Sequence, residues 1–257
     1  MKITLLCENE VCDMHWLAEW GFSAFIEYGG QKILFDTEFS DVYRHNAARA
    51  GVDLDSADFV ALSHFHNDHT GGLRHHGFTG RKKILMHPRV LKELANPKSK
   101  SFAKGYREIH HILTQDFDVV PAKGATEFAE GAFFLGEIPR SNDFEAGEFD
   151  GDAMPDDTAL AFRTDKGAVV VTGCSHAGIC NICDYAKQVT GQPLYAVIGG
   201  FHLLAEDNPP LDETIAYFKA EAPEVLLPMH CVDFSALVAF HNEFGSRKYA
   251  AGDVIEL

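Results

Sequence analysis

The sequence predicts an α/β fold in which two half-sheets carry helices on their outer faces, a four-layer αββα sandwich. Three observations predict it. Short apolar runs of strand character alternate along the chain with segments of helical spacing. One run, Ala168-Val169-Val170-Val171, is apolar enough to be a central strand. At 257 residues and 46% hydrophobic content the chain can bury one large core, so a single domain over 1–257 is expected.

Taken in order, Lys2-Ile3-Thr4-Leu5-Leu6 reads as an opening strand. Ser23 to Tyr28 and Lys32 to Asp36 read as a hairpin turned by Gly29-Gly30. Asp36 reads as a turn or helix-cap residue, with partnership to a metal-binding histidine as the sharper alternative. A helix over 41–51 ends at Gly51, and Asp58-Phe59-Val60-Ala61-Leu62 is a short buried strand. Lys83-Ile84-Leu85-Met86 is another, leading to a structural or solvent-facing His87. Residues 96–118 look polar and irregular. Strands resume around Phe117–Val120 and 133–138, then pair as 158–163 and 168–172 about Asp165-Lys166-Gly167. A helix over Ile179–Thr190, a strand over 194–198, a helix over 212–220, a strand at 225–228 and a helix over 235–244 complete the chain. Between Glu137 and Asp157 eight acidic residues accompany one basic residue, Arg140. The run is a solvated loop by composition, and its length suits a mobile flap over a site.

The formal net charge of −16 argues against a nucleic-acid backbone as partner, since phosphate binding needs a concentrated basic surface. A phosphorylated small molecule stays open, because a bound metal supplies local positive charge. No segment has the apolar length to span a bilayer, and residues 1–20 lack the pattern of a signal peptide, so a soluble cytoplasmic protein is expected. Cysteines 7, 12, 174, 180, 183 and 231 lack the spacing of a disulfide framework and read as buried thiols or ligands.

The chemistry concentrates in His64-Phe65-His66-Asn67-Asp68-His69, followed by Thr70-Gly71-Gly72. Three imidazoles and one carboxylate in six positions are poorly explained by packing. The group emerges at the carboxyl end of a buried strand, where ligands of α/β sheets bind. In extended backbone His64 and His66 share a face and can grip one ion. A turn at Thr70-Gly71-Gly72 would swing Asp68 and His69 aside to hold a second. Imidazole with carboxylate suits one or two divalent transition metals, zinc first, with iron, manganese or nickel as alternatives.

The string HFHNDH resembles the HxHxDH signature of the metallo-β-lactamase-fold hydrolases. Further strings, Gly136 to Arg140, Thr172 to Ile179 (TGCSHAGI), Gly199 to Leu203 (GGFHL) and Pro228-Met229-His230-Cys231, look like one branch: the dihydropterin ribofuranosylaminobenzene 5'-phosphate synthase-like proteins. The resemblance implies the metallo-β-lactamase fold and a metal-dependent hydrolase. It would use a metal-activated water on a phosphoester or a pterin-related phosphorylated small molecule.

It also implies a ligand set of His64, His66, Asp68, His69 and His230, with Cys174 where the superfamily usually places a bridging aspartate. A buried inert cysteine is the alternative reading of Cys174. No histidine occurs between His111 and His176, where the pattern normally supplies a ligand, so either that position is missing or His176 fills it. Asp68 is the expected catalytic group that orients water, and His202 a ligand, phosphate contact or proton donor. Arg140 is the candidate contact for a substrate phosphate or carboxylate, with a salt bridge to Glu137 or Asp143 as its alternative. Cys180 and Cys183 form a weak CxxC signal, expected to face the core rather than an iron–sulfur cluster. Two other functions stay open: a di-iron oxidoreductase of the same fold, and a non-catalytic metal-binding or sensing protein.

Overall fold

The computed structural model describes residues 1–98, 100–145, 151–205 and 210–257. They form two compact units, Met1–Lys123 with Ala250–Leu257, and Gly124–Tyr249.

The first unit is built on a seven-stranded sheet. Its strands are β1 (Lys2–Cys7), β2 (Ser23–Tyr28), β3 (Gln31–Phe35), β4 (Phe59–Ala61), β5 (Lys82–Met86), β6 (Phe117–Pro121) and the closing β13 (Val254–Glu256). The order is β13-β1-β2-β3-β4-β5-β6. Strands β13 to β3 pair antiparallel, and β3 to β6 pair parallel. The β2–β3 hairpin turns on Gly29 and Gly30, both at positive φ (56° and 83°), the backbone that a tight two-residue hairpin demands.

Helices α1 (Val42–Ala50), α3 (Pro88–Ala95) and α4 (Ala103–Asp116) bury Tyr43, Ala47, Val90, Leu94, Tyr106, Ile109 and Leu113 in one core with Leu34, Val60 and Ile84 of the sheet. Burial of each large aliphatic side chain there contributes about 1.5–3 kcal/mol. Helix α4 corrects the irregular reading of 96–118. Its apolar stripe, Tyr106, Ile109 and Leu113, keeps helical spacing but is one residue wide and hidden among polar neighbours. Helix α3 was also unforeseen, although Pro88 in its first turn announces it. His87 is structural: its Nδ1 accepts from the Arg89 N–H at 3.2 Å and caps that helix.

The second unit carries a six-stranded sheet of β7 (Thr126–Ala129), β8 (Ala132–Phe134), β9 (Ala159–Thr164), β10 (Gly167–Thr172), β11 (Leu194–Gly200) and β12 (Val225–Met229), in the order β12-β11-β10-β9-β8-β7. Again one half is antiparallel, β7 to β10, and the other, β10 to β12, parallel. Helices α5 (Ile179–Thr190), α6 (Leu211–Glu221) and α7 (Phe234–Phe244) pack on it. Cys180 and Cys183 face that core beside Ile182, Ala186 and Phe218, as expected. Burial raises both thiols, as an apolar surrounding does.

Of the acidic run, residues 146–150 lie outside the described residues. The part preceding them is fastened to helix α5. Asn181 Oδ1 accepts from Ser141 N and Asn142 N (2.8 and 3.1 Å), while the Glu145 carboxylate accepts from Cys180 N and Asn181 N (2.9 Å each). A carboxylate at a helix N-terminus satisfies otherwise orphaned N–H groups and the helix dipole together.

Glu38 likewise accepts at the start of α1, from Ser40 N and, at 3.1 Å, from Tyr43 N, but it is fully buried. Burial, then its hydrogen bond with Glu19, push its carboxyl from an ordinary 4.5 up to about 9. The folded chain therefore keeps a proton that the unfolded chain releases near pH 4.5. Stability from this group is full below that pH and is lost as pH rises through about 9. Denaturant titrations across this range should show a decline in the native protein that Glu38→Gln flattens.

Candidate metal centre

In the first unit β4 delivers the histidine cluster. Beyond Ala61 the chain bends at Ser63 and Phe65 and then enters the short helix α2 (Asn67–Thr70), with His66 at its N-cap position. The His64 and His66 rings lie 4.6 Å apart, centroid to centroid, and those of His64 and His69 4.3 Å apart. Helix α2 turns the next pair round, leaving Asp68 Oδ2 3.7 Å from His69 Nε2. His64 and His69 are fully buried.

One carboxylate orients this group. Asp36 follows β3 immediately, at φ 55°, and is fully buried. It accepts from Ser63 N at 2.7 Å, Ser63 Oγ at 2.6 Å and His69 Nδ1 at 2.7 Å. A carboxylate only accepts, so His69 carries its hydrogen on Nδ1 and keeps the Nε2 lone pair. Ser63 spends its single hydrogen on Asp36, so its oxygen accepts from His64 Nδ1 at 2.9 Å, and His64 likewise keeps the Nε2 lone pair. Two imidazole tautomers are thus set from one buried acid. The turn-or-cap reading of Asp36 gives way to that of a partner to a histidine of the cluster. The available signal was an aspartate closing a buried strand.

In the second unit the parallel strands end in the remaining candidates: Cys174 and His176 after β10, His202 after β11, and His230 with Cys231 after β12. Ser175, His202 and His230 adopt positive φ (63°, 51° and 56°). Each such backbone costs about 1–3 kcal/mol and persists only where the surroundings dictate it. Cys174 Sγ and a His230 ring nitrogen lie within 4.8 Å of one another, and the His176 and His202 rings are 4.3 Å apart. Glycine is required at the end of β11: a Cβ on Gly199 would sit 2.0 Å from Thr172 O, and one on Gly200 2.2 Å from Gly173 O.

The loop carrying His176 is held by Asp157 and Arg140. The Asp157 carboxylate accepts from the Ala177 and His176 N–H groups, the former at 2.9 Å, and complete burial pushes it up to about 7. The Arg140 guanidinium donates to the carbonyls of Glu145 (3.1 Å), His176 (3.3 Å) and Ala153. Neither Ser63 nor Asp157 was marked by the sequence as part of the site, and Cys231 only as one of six cysteines read as buried thiols or ligands.

A model of the metallo-β-lactamase superfamily matches residues 21–179. The chain belongs to that superfamily. A relative in Methanocaldococcus jannaschii named 7,8-dihydropterin-6-methyl-4-(β-D-ribofuranosyl)-aminobenzene-5'-phosphate synthase is 30% identical over 254 residues, covering 88% of this chain and 84% of that one. An uncharacterized protein of the same organism is 29% identical over 227 residues, 86% of each chain. Among solved structures, Tm1679, a metal-dependent hydrolase of the β-lactamase superfamily, superposes with a TM-score of 0.81 at 27% identity, over 100% of this chain and 99% of that one. A diphosphatase of the PhnP family shares the fold at a TM-score of 0.58 and 14% identity, over 100% and 97% of the chains. The expected fold class, an α/β fold of this superfamily, and the resemblance to the pterin-related branch are both met, with two sheets and seven α-helices among the described residues.

Histidines with tautomers already set, a carboxylate and a buried thiol are groups that could bind a metal, and their donor chemistry fits a divalent transition ion. Groups that orient metal-binding histidines typically contribute about 10- to 100-fold in affinity. Asp36→Ala should therefore weaken zinc binding by about that factor or more. Ser63→Ala, which spares His69, should weaken it less, as read by competition with a chromophoric chelator.

Proposed function

We propose that the chain is a metal-dependent hydrolase acting on a phosphoester of a small molecule, pterin-related in kind, with zinc the favoured ion. In this reading the metal ligands are His64, His66, Asp68 and His69 of the first unit and Cys174, His176 and His230 of the second. The observation that carries it is the repeated placement of nitrogen, oxygen and sulfur donors at the ends of parallel strands in a metallo-β-lactamase chain. The phosphorylated, pterin-like substrate is supported by the name of the 30%-identical relative. An overall charge of −16 favours a small molecule over a nucleic-acid polymer.

A bound divalent ion supplies Lewis acidity, bringing the pKa of water towards neutrality and offsetting charge that develops at phosphorus. The chain's own groups do the rest. Asp68, half-buried at the first turn of α2, ligates and orients the attacking water. His69 is kept in register by Asp36, and His64 by Ser63. His202, beside His176, is the candidate acid for the leaving oxygen. Arg140 is given the part of a clasp: its donors engage the backbone of the His176 loop and of its own segment.

The test is metal quantification on protein purified without added ions, paired with a screen of phosphomonoesters and phosphodiesters. Bound metal with turnover is expected, and Asp68→Ala should lower that turnover by roughly 10²–10⁴-fold without loss of secondary structure. Full activity in this variant would reject the role given to Asp68. Bound metal with no turnover across the screen would favour the sensing alternative.

A further inference from the structure

We propose that Cys231 is a positioning residue for the Cys174 thiolate, an inference that rests on Cys174 being a metal ligand. Strands β10 and β12 are not neighbours, because β11 lies between them. Side chains leaving their ends would ordinarily be parted by whatever side chain β11 presents. Here β11 ends in glycine: a Cβ on Gly200 would lie 2.6 Å from Cys231 Sγ and 3.2 Å from Cys174 Cα. Its absence opens a passage through which Cys231 Sγ reaches the Cys174 carbonyl at 3.3 Å and touches the Cys174 side chain.

Cys231 is itself fixed. The His202 N–H donates to its sulfur at 3.3 Å, Leu203 N donates to its carbonyl at 3.0 Å, and Leu203 bridges Val232. It is buried, 2% exposed. Cys183, by contrast, lies in the apolar core that α5 forms. A thiol placed among a carbonyl, an amide and a second thiol has the surroundings of a hydrogen-bonding group, not of a small hydrophobe. Its S–H steadies Cys174 from the side where Gly200 leaves room, and its acceptor lone pair ties the β11 loop bearing His202 to the same point.

The experiment compares Cys231→Ala, Cys231→Ser and Cys174→Ala with the native chain in zinc competition and in the thiolate-to-metal charge-transfer absorption after cobalt loading. Cys231→Ala should weaken zinc binding by about 10- to 100-fold and move the cobalt band. Cys231→Ser, which can still donate and accept, should recover most of both. A band lost in Cys174→Ala but unmoved in Cys231→Ala, with native zinc affinity, overturns this inference alone. A band that survives Cys174→Ala overturns the ligand assignment and this inference with it.

Discussion

Parallel strands leave a sheet at a common edge, and in both sheets of this chain that edge is where the hydrogen-bonded ladder gives way to donor side chains. In the first, β3, β4 and β5 end in Asp36, in Ser63-His64 and in His87. In the second, β10, β11 and β12 end in Cys174, His202 and His230. Parallel pairing forces crossover helices and so fills the flanks of each sheet with apolar contacts. What remains for chemistry is the rim, and the side chains there inherit their spacing from the strands, roughly 5 Å apart. Packing sets the position of the donors, and their chemistry is a later choice.

Holding polar groups at a buried rim has a cost. A fully buried carboxylate such as Asp36 is tolerable only because three donors converge on it. The same logic operates at Asp157, which takes N–H groups from the loop bearing His176, and at Glu145 on the N-terminus of α5. These acids do two jobs with one desolvation: each satisfies backbone groups that have no other use, and each fixes a loop whose side chains matter. Positive φ at Asp36, Ser175, His202 and His230 belongs to the same arrangement, since a strained turn directly after a strand aims a side chain that a relaxed backbone would carry past the rim.

How far the sequence could be read follows from what each feature needed. The apolar runs of β1 to β5 and of β9 to β12 were legible because a strand buried on both faces must be apolar along its length. The HFHNDH cluster was legible because density of donors alone is informative. Helix α4 was not, since its three buried residues are outnumbered by charged and polar neighbours. The partners of Ser63 and Cys231 were invisible for a different reason. A serine beside a histidine and a cysteine beside a histidine are ordinary dipeptides, and only the register of β3 against β4, and the missing side chain of Gly200, give them partners. Arg140 shows the converse. Isolation in an acidic stretch suggested a role towards an anion, whereas its guanidinium reaches carbonyl oxygens brought near it only by folding.

Cys174 carries the sharpest consequence for metal choice. On the proposed reading it stands where the superfamily usually has a carboxylate, so the charge is kept while the donor becomes softer. Magnesium and calcium prefer oxygen and gain nothing from that exchange, whereas zinc and iron(II) accept thiolate and imidazole together. The imidazoles point the same way, because their tautomers are committed through Asp36 before any ion arrives, so little reorganisation opposes an ion that tolerates nitrogen. On that reading a hard ion, which serves phosphate chemistry from an oxygen cage, is disfavoured twice, once by sulfur and once by nitrogen. On the proposed reading, selectivity for a borderline ion comes from the same strand ends that set the geometry.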